Sequence, residues 1–225
     1  MKQEPQYDKA IRGEWFIQGD PQLKAERDRA KVLCWELNQI SPADEPKRQE
    51  LLRQLIGTIK GSFTINSPFY CDYGIRITIG DRFFANYNCK ILDGGEVIFG
   101  DNVRIGPDCT FSTPHHPVDP QKRLEGWQIH KPIHGGDNVW FGSGVNVLPG
   151  VSIGSNTVIG AGSVVTRDIP EGVFAAGNPC RVIKKVEEEK IRRKRYVHKS
   201  NYKEPLPCSD RRHHHIPVWR RYAGL

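Results

Sequence analysis

An aliphatic or aromatic residue recurs every six positions over two long stretches of the chain. Phe141, Val147, Ile153, Ile159 and Val165 form one unbroken series, and Ile79, Ala85 and Ile91 form another that Phe99, Ile105 and Phe111 resume after two extra residues. Glycine follows directly at Gly80, Gly100, Gly106, Gly142, Gly154 and Gly160. Small or branched residues stand four places after the repeat starts, among them Cys89, Val103, Cys109, Val145, Val151, Thr157 and Ser163. A helix repeats every 3.6 residues and a strand every 2, so neither accounts for six. A solenoid does, because each six-residue side of a coil stacks on the equivalent side of the next. The pattern predicts an all-β solenoid of hexapeptide repeats.

Other periods flank it. Asp20-Pro21 reads as a helix start, with Asp as N-cap and Pro at the first helical position. Leu23, Ala30, Leu33 and Leu37 then share one face. After a break at Ser41-Pro42, a second helix is expected over residues 45–60, with Leu51, Leu52, Leu55, Ile56 and Ile59 as its apolar stripe. The chain divides into a helical leader, 1–60, a β-helix domain, 61–186, and a tail, 187–225. Residues 67–79 read as the solenoid's entrance, and a charged segment from Arg181 to Tyr196 reads as a short C-terminal helix. Within the β-helix, residues 112–131 break the repeat with three prolines, three histidines and mixed charge. A structureless insertion of this length in a compact repeat is functional or disordered.

Composition sharpens this picture at two points. The formal net charge of +7 is concentrated in the tail, where residues 187–225 hold 11 Lys/Arg against 5 Asp/Glu. Such a tail can touch nucleic acid or acidic headgroups, but more often it is a solvated or oligomer-covering segment, and nucleic acid is not expected as a partner. The six cysteines show no CxxC, and Cys89 and Cys109 fall at inward solenoid positions, where a free thiol behaves as a small apolar residue. Reduced thiols, no apolar amino-terminal stretch and no run long enough to span a bilayer point to a cytoplasmic protein without a membrane partner.

The insertion carries the candidate chemistry. His115 and His116 sit between Pro114 and Pro117, and a histidine held by rigid neighbours can act as a general base near neutral pH. A surface-loop histidine is the competing reading. Adjacent side chains diverge in an extended segment, so the pair is not expected to bind metal.

The segments FFANYNCKILDGG, STPHHPVDP, GDNVWFGSGVNVLPGVSIG and NTVIGAGSVVTRDIPEGVFAAGNPCRVIKK together resemble the maltose and galactoside O-acetyltransferases of the hexapeptide-repeat class, over residues 10–186. The leader RGEWFIQGDPQL is similar to the amino-terminal segment of that subgroup. The resemblance implies a left-handed parallel β-helix assembled as a homotrimer, with active sites between neighbouring prisms. It implies direct acetyl transfer from acetyl-CoA, as co-substrate, to a hydroxyl of a sugar or sugar-like small molecule, with no metal required. The base maps to His116; no cysteine or serine nucleophile accompanies it.

Other roles come over singly. The resemblance places Asp20, Phe84, Asn86, Gln128 and Trp140 around the acceptor and the pantetheine arm, and Ser143 where a backbone N–H faces the thioester oxygen. Ala161, Thr166 and Arg167 match later coenzyme A contacts, and Arg181 and Lys184 match positions that meet the nucleotide phosphates. Two departures stand out. Phe84 replaces a tyrosine, and Gln128 replaces a glutamate that orients the imidazole in many relatives; an amide can accept a hydrogen bond there but cannot stabilise an imidazolium by charge.

Two further readings are open. Gln128, Phe84 and the tail suit a catalytically weak trimeric scaffold that binds a partner through its basic tail. Cys208 with His213, His214 and His215 suits a metal only poorly, since consecutive histidines cannot all face one ion from a regular element.

Overall fold

The computed structural model describes residues 4–186. The tail, with Cys208 and the triple histidine, lies outside the described residues.

The leader contains α1 (Gln6–Ile11), a short strand (Phe16–Ile17), α2 (Pro21–Gln39) and α3 (Glu45–Leu55). Asp20 caps α2, accepting from the N–H of Gln22 at 2.9 Å and of Leu23 at 3.2 Å, with Pro21 at the first helical position. The buried face of α2 is Leu23, Ala30, Cys34 and Leu37; Leu33 is only partly covered. Helix α3 ends at Leu55 and does not reach residue 60. Ile56 is already extended, and a Cβ on Gly57 would lie 2.0 Å from the carbonyl oxygen of Ile75. That close approach lets Thr58–Ile59 dock as a strand on Ile77–Ile79, so the solenoid begins before the expected entrance. Arg48 locks α3 onto it, its buried guanidinium donating to Ser67 Oγ and Ile65 O at 2.8 Å each.

Three parallel sheets form the walls of the solenoid. The first stacks Thr58–Ile59, Ile77–Ile79, Val97–Phe99, Ile133–Gly135 and Ser152–Ile153. The second runs from Phe63–Ile65 through Phe83–Ala85, Arg104–Ile105, Trp140–Phe141 and Val158–Ile159 to Val173–Gly177. The third holds Phe69–Cys71, Cys89–Leu92, Thr110–Ser112, Asn146–Val147 and Val164–Val165. Repeat positions stack in register, as in Ala85 on Ile105 and Phe141 on Ile159. Every residue of the two six-residue series is buried, and Phe83, Phe99, Phe111 and Phe141 fill the interior with ring centroids 5.0–6.2 Å apart.

At the corner between the first and second sheets a polar ladder ties coil to coil. Asp81 Oδ1 accepts from Ser62 N–H, Asp101 Oδ1 from Asp81 N–H and Asp137 Oδ1 from Asp101 N–H, each at 2.8 Å. The residues that follow, Arg82, Asn102, Asn138 and Asn156, turn the corner with φ between 53° and 58°, a region asparagine tolerates better than most residues.

Two further expectations change. The insertion is not structureless: it forms strands Pro114–His115 and Trp127–His130 and helix α4 (Pro120–Leu124). The charged segment from Arg181 starts as a strand, Cys180–Lys185, antiparallel to Val173–Gly177; residues 187–196 lie outside the described region. Among the described residues, no helix is long and apolar enough to cross a membrane.

Candidate active site

The insertion leaves the corner between the third and first sheets, and Thr113 fixes its start. Fully buried, Thr113 donates through Oγ1 to Leu92 O at 2.7 Å and accepts from Gly95 N–H at 2.8 Å. Its carbonyl takes the N–H of Lys131 at 2.9 Å, closing the two ends of the insertion on each other.

Between those ends lies a three-stranded antiparallel sheet, with Trp127–His130 central. Phe16 pairs with Gln128 on one side, and Pro114 with His130 on the other. The outer strand ends at His115, and His116 follows it as an exposed residue. Strand alternation places Phe16, Gln128 and His130 on one face, where Gln18 joins them. Trp15, His115 and Trp127 take the other face and line a cleft of about 550 Å³.

A polar chain runs along the first face, from exposed Gln18 to buried Gln128 and His130. Gln18 Nε2 donates to Gln128 Oε1 at 2.5 Å, and Gln128 Nε2 lies 3.0 Å from His130 Nε2. Because Gln128 accepts through its oxygen, its NH₂ group faces His130, whose Nε2 is therefore assigned as the acceptor. The proton then sits on Nδ1, which is buried and has no partner among the described residues. Burial, with the charge of Arg76 second, pushes His130 down to about 4, so the imidazole is neutral near pH 7. Phe16 meets the ring edge-on at 4.9 Å, and a Cβ on Gly94 would stand 2.6 Å from its Nε2. Gln128, expected to orient His116, spends its amide on Gln18 and His130.

Beneath the insertion, the same corner holds a cluster with no counterpart in the sequence-based reading. Buried Asp93 accepts from the N–H groups of Asp72, Tyr73 and Arg76 at 2.8–3.3 Å, while desolvation raises its carboxyl. Arg76 lies over the Tyr73 ring at 4.1 Å and donates to Glu26 at 2.7 Å, and Tyr7 donates to the other Glu26 oxygen at 2.9 Å. The leader is thereby fastened to the corner that carries the insertion.

The remaining candidates divide among other positions. Phe84 and Trp140 flank Arg104 in one outward column of the second sheet. Asn86 follows at the corner leading to the third sheet, its Oδ1 accepting from Tyr87 N–H at 2.8 Å. Ser143 and Ala161 stack at that same corner, with Ser143 O accepting from Gly162 N–H at 2.8 Å. Gly142 N–H and Gly144 N–H serve the ladder, whereas Ser143 N–H donates to no protein atom among the described residues. Glycine at 106 leaves the space beside that N–H open, since a Cβ there would sit 2.8 Å from the Ser143 nitrogen. Thr166 and Arg167 turn the corner that the insertion also uses. Arg181 and Lys184 pair with Ala176 and Phe174 on the final hairpin. Both carboxylate oxygens of Asp20 are occupied, Oδ1 by the helix cap and Oδ2 by Tyr7 N–H at 3.2 Å. Within one chain, therefore, His116 and the Asn86–Ser143–Ala161 column leave from different corners of the coil.

Comparison with known proteins matches this arrangement from both ends. Residues 9–61 match the maltose acetyltransferase hexapeptide capping motif, and residues 136–167 match the bacterial transferase hexapeptide repeat. The galactoside O-acetyltransferase of Escherichia coli K12 is 42% identical over 184 residues, covering 82% of this chain and 91% of its own length. The chain belongs to the maltose and galactoside acetyltransferase family. A solved galactoside acetyltransferase in complex with coenzyme A superimposes with a TM-score of 0.80 at 42% identity, covering 82% of this chain and 92% of the other. A Vibrio cholerae hexapeptide-repeat acetyltransferase complexed with acetyl-CoA superimposes with a TM-score of 0.76 at 36% identity, covering 82% and 100%. The solenoid of this acetyltransferase is accordingly the left-handed β-helix of its family. Missed from sequence was His130, although Gln128-x-His130 at strand spacing behind a histidine pair was a readable signal.

Proposed function

We propose that the protein transfers acetyl from acetyl-CoA to a hydroxyl of a sugar or sugar-like acceptor, with His116 as general base. The acceptor hydroxyl gives its proton to the His116 imidazole while its oxygen attacks the thioester carbonyl. The tetrahedral oxyanion takes a hydrogen bond from Ser143 N–H, and collapse expels the coenzyme A thiolate, which recovers the proton from His116. The observation that carries this reading is the unspent N–H of Ser143, held open by Gly106 within a family whose solved members bind coenzyme A.

Trp140 and Phe84 supply an apolar wall for the pantetheine arm and acceptor, and Asn86 and Asp20 border the acceptor. Ala161, Thr166 and Arg167 follow the cofactor, and Arg181 and Lys184 meet its phosphates as fixed cations. Gln128 acts on the acceptor side by holding the insertion sheet whose outer strand leads into His116. Because His116 and Ser143 leave different corners, the site is completed between chains of a cytoplasmic homotrimer. Exposed Tyr87, Trp140, Leu148 and Ile183 on the solenoid's outer faces support such packing.

The test is thiol release from acetyl-CoA across a panel of mono- and disaccharides, wild type beside His116→Ala. Acceptor-dependent release lost in the variant supports the assignment, and release that survives it removes His116 from the mechanism. Gln128's engagement away from His116 favours a second reading, a weak catalyst acting as a scaffold. No release, with no rise in melting temperature on adding acetyl-CoA, would select that one.

A further inference from the structure

Cys34 and Cys71 meet where the leader packs on the solenoid. Cys34 lies on the buried face of α2, and Cys71 ends the strand Phe69–Cys71. Their sulfurs are 3.7 Å apart, and the other free thiols among the described residues, Cys89, Cys109 and Cys180, belong to the β-helix. Asn38 clasps the two elements together beside the pair, donating to Phe69 O and accepting from Phe69 N–H at 3.0 Å each. The thiols themselves are only 3% and 8% exposed, yet both line a cleft of about 270 Å³ walled by Trp35, Asn38 and Tyr70. Either thiol can donate to the other across this contact, and with the proton held on Cys71 it favours the thiolate at Cys34.

We propose that Cys34 and Cys71 are an oxidisable dithiol, converted to a disulfide by a small hydroperoxide that enters through this cleft. The Cys34 thiolate attacks one peroxide oxygen, the O–O bond breaks, and hydroxide leaves to be protonated to water. The resulting sulfenic acid is attacked at sulfur by Cys71, the S–O bond breaks, and a second water departs. Two thiols thus lose two electrons and two protons, and hydrogen peroxide becomes two waters. A disulfide requires the sulfurs to close to about 2.0 Å, a change that side-chain rotation supplies because the Asn38 clasp already holds the strand against α2. The bond ties α2 to the third sheet across 37 residues of chain. It constrains the same leader whose strand brings Gln18 to Gln128.

The experiment uses the reduced full chain exposed to hydrogen peroxide, alkylated and digested with trypsin. Cleavage after Lys31, Lys47, Lys60 and Arg76 should release a linked pair, residues 32–47 joined to 61–76, lighter by two hydrogens than the separate peptides and dissolved by dithiothreitol. Oxidation should raise the melting temperature reversibly in the wild type and leave it unmoved in Cys34→Ser and Cys71→Ser. In Cys71→Ser, Cys34 should be trapped as a sulfenic acid by dimedone. If a serine variant fails to fold, the wild-type peptide map decides alone. A map in which Cys34 and Cys71 stay alkylated, or are joined to other cysteines such as Cys208, overturns the proposal. So does stepwise over-oxidation of Cys34 without any link.

Discussion

Replacing Thr113 with valine tests whether one buried hydroxyl anchors the insertion that carries His116. The change keeps the branched shape but removes the acceptor of Gly95 N–H, at 2.8 Å, and the donor to Leu92 O, at 2.7 Å. Leu92 O keeps the N–H of Thr113 itself at 3.1 Å, so its loss is small, about 1 kcal/mol, whereas the orphaned Gly95 N–H costs about 2 kcal/mol. Burying a methyl in place of the hydroxyl returns about 1 kcal/mol. The net destabilisation is about 2 kcal/mol, which for a chain of this size lowers the melting temperature by about 4–8 °C. Thr113→Ser keeps both bonds and loses only a methyl, about 1 kcal/mol. Urea unfolding of the three proteins at one fixed concentration measures the series. The expected order is wild type, serine, then valine; a valine variant as stable as the serine variant, or more so, would refute the role given to the hydroxyl.

Other expectations concern the polar face above it. His116→Ala should lower kcat by about 10²–10⁴-fold while leaving acetyl-CoA affinity, read by calorimetry, unchanged. His130 binds its proton less readily folded, at about 4, than its ordinary value of 6.5. Its neutral burial therefore stabilises fully above pH 6.5, and the contribution is lost as pH falls towards 4. Relative to His130→Asn, the wild type should lose about 3 kcal/mol of unfolding free energy between pH 7 and pH 4. Asp72, raised to about 6 chiefly by burial, works in the opposite sense in both proteins and drops out of that difference; a flat difference would mean that His130 is solvated. Gly94→Ala forces a Cβ to within 2.6 Å of His130 Nε2. It should cost about 1–3 kcal/mol and raise KM for the acceptor, and unchanged unfolding would show that the ring yields freely.

The interior of the solenoid was legible residue by residue because a repeat needs only its neighbours. Phe141, Val147, Ile153, Ile159 and Val165 are all buried, since a six-residue side puts the same position inward at every coil whatever lies far away. Asp20 as a cap was legible for the same reason, a local rule with local partners. The far end of α3 was not. Gly57 is a stop signal that the apolar stripe through Ile56 and Ile59 overrides in the sequence pattern, and the docking of Thr58–Ile59 on Ile77–Ile79 is what makes the following residues a strand.

The candidate site followed the same division. Sequence alone determined that His116 stands between prolines in the long insertion of a repeat and that the chain is a hexapeptide solenoid. Tertiary structure decided what faces what. Gln18 and Gln128 lie 110 residues apart and meet only because the leader strand adds itself to the insertion. Their contact diverts Gln128 to His130, and Gly94 from a coil below leaves the ring its space. A period reports which side chains turn inward, because that depends on backbone geometry repeated locally. Partners brought together by pairing across long stretches of chain leave no period behind.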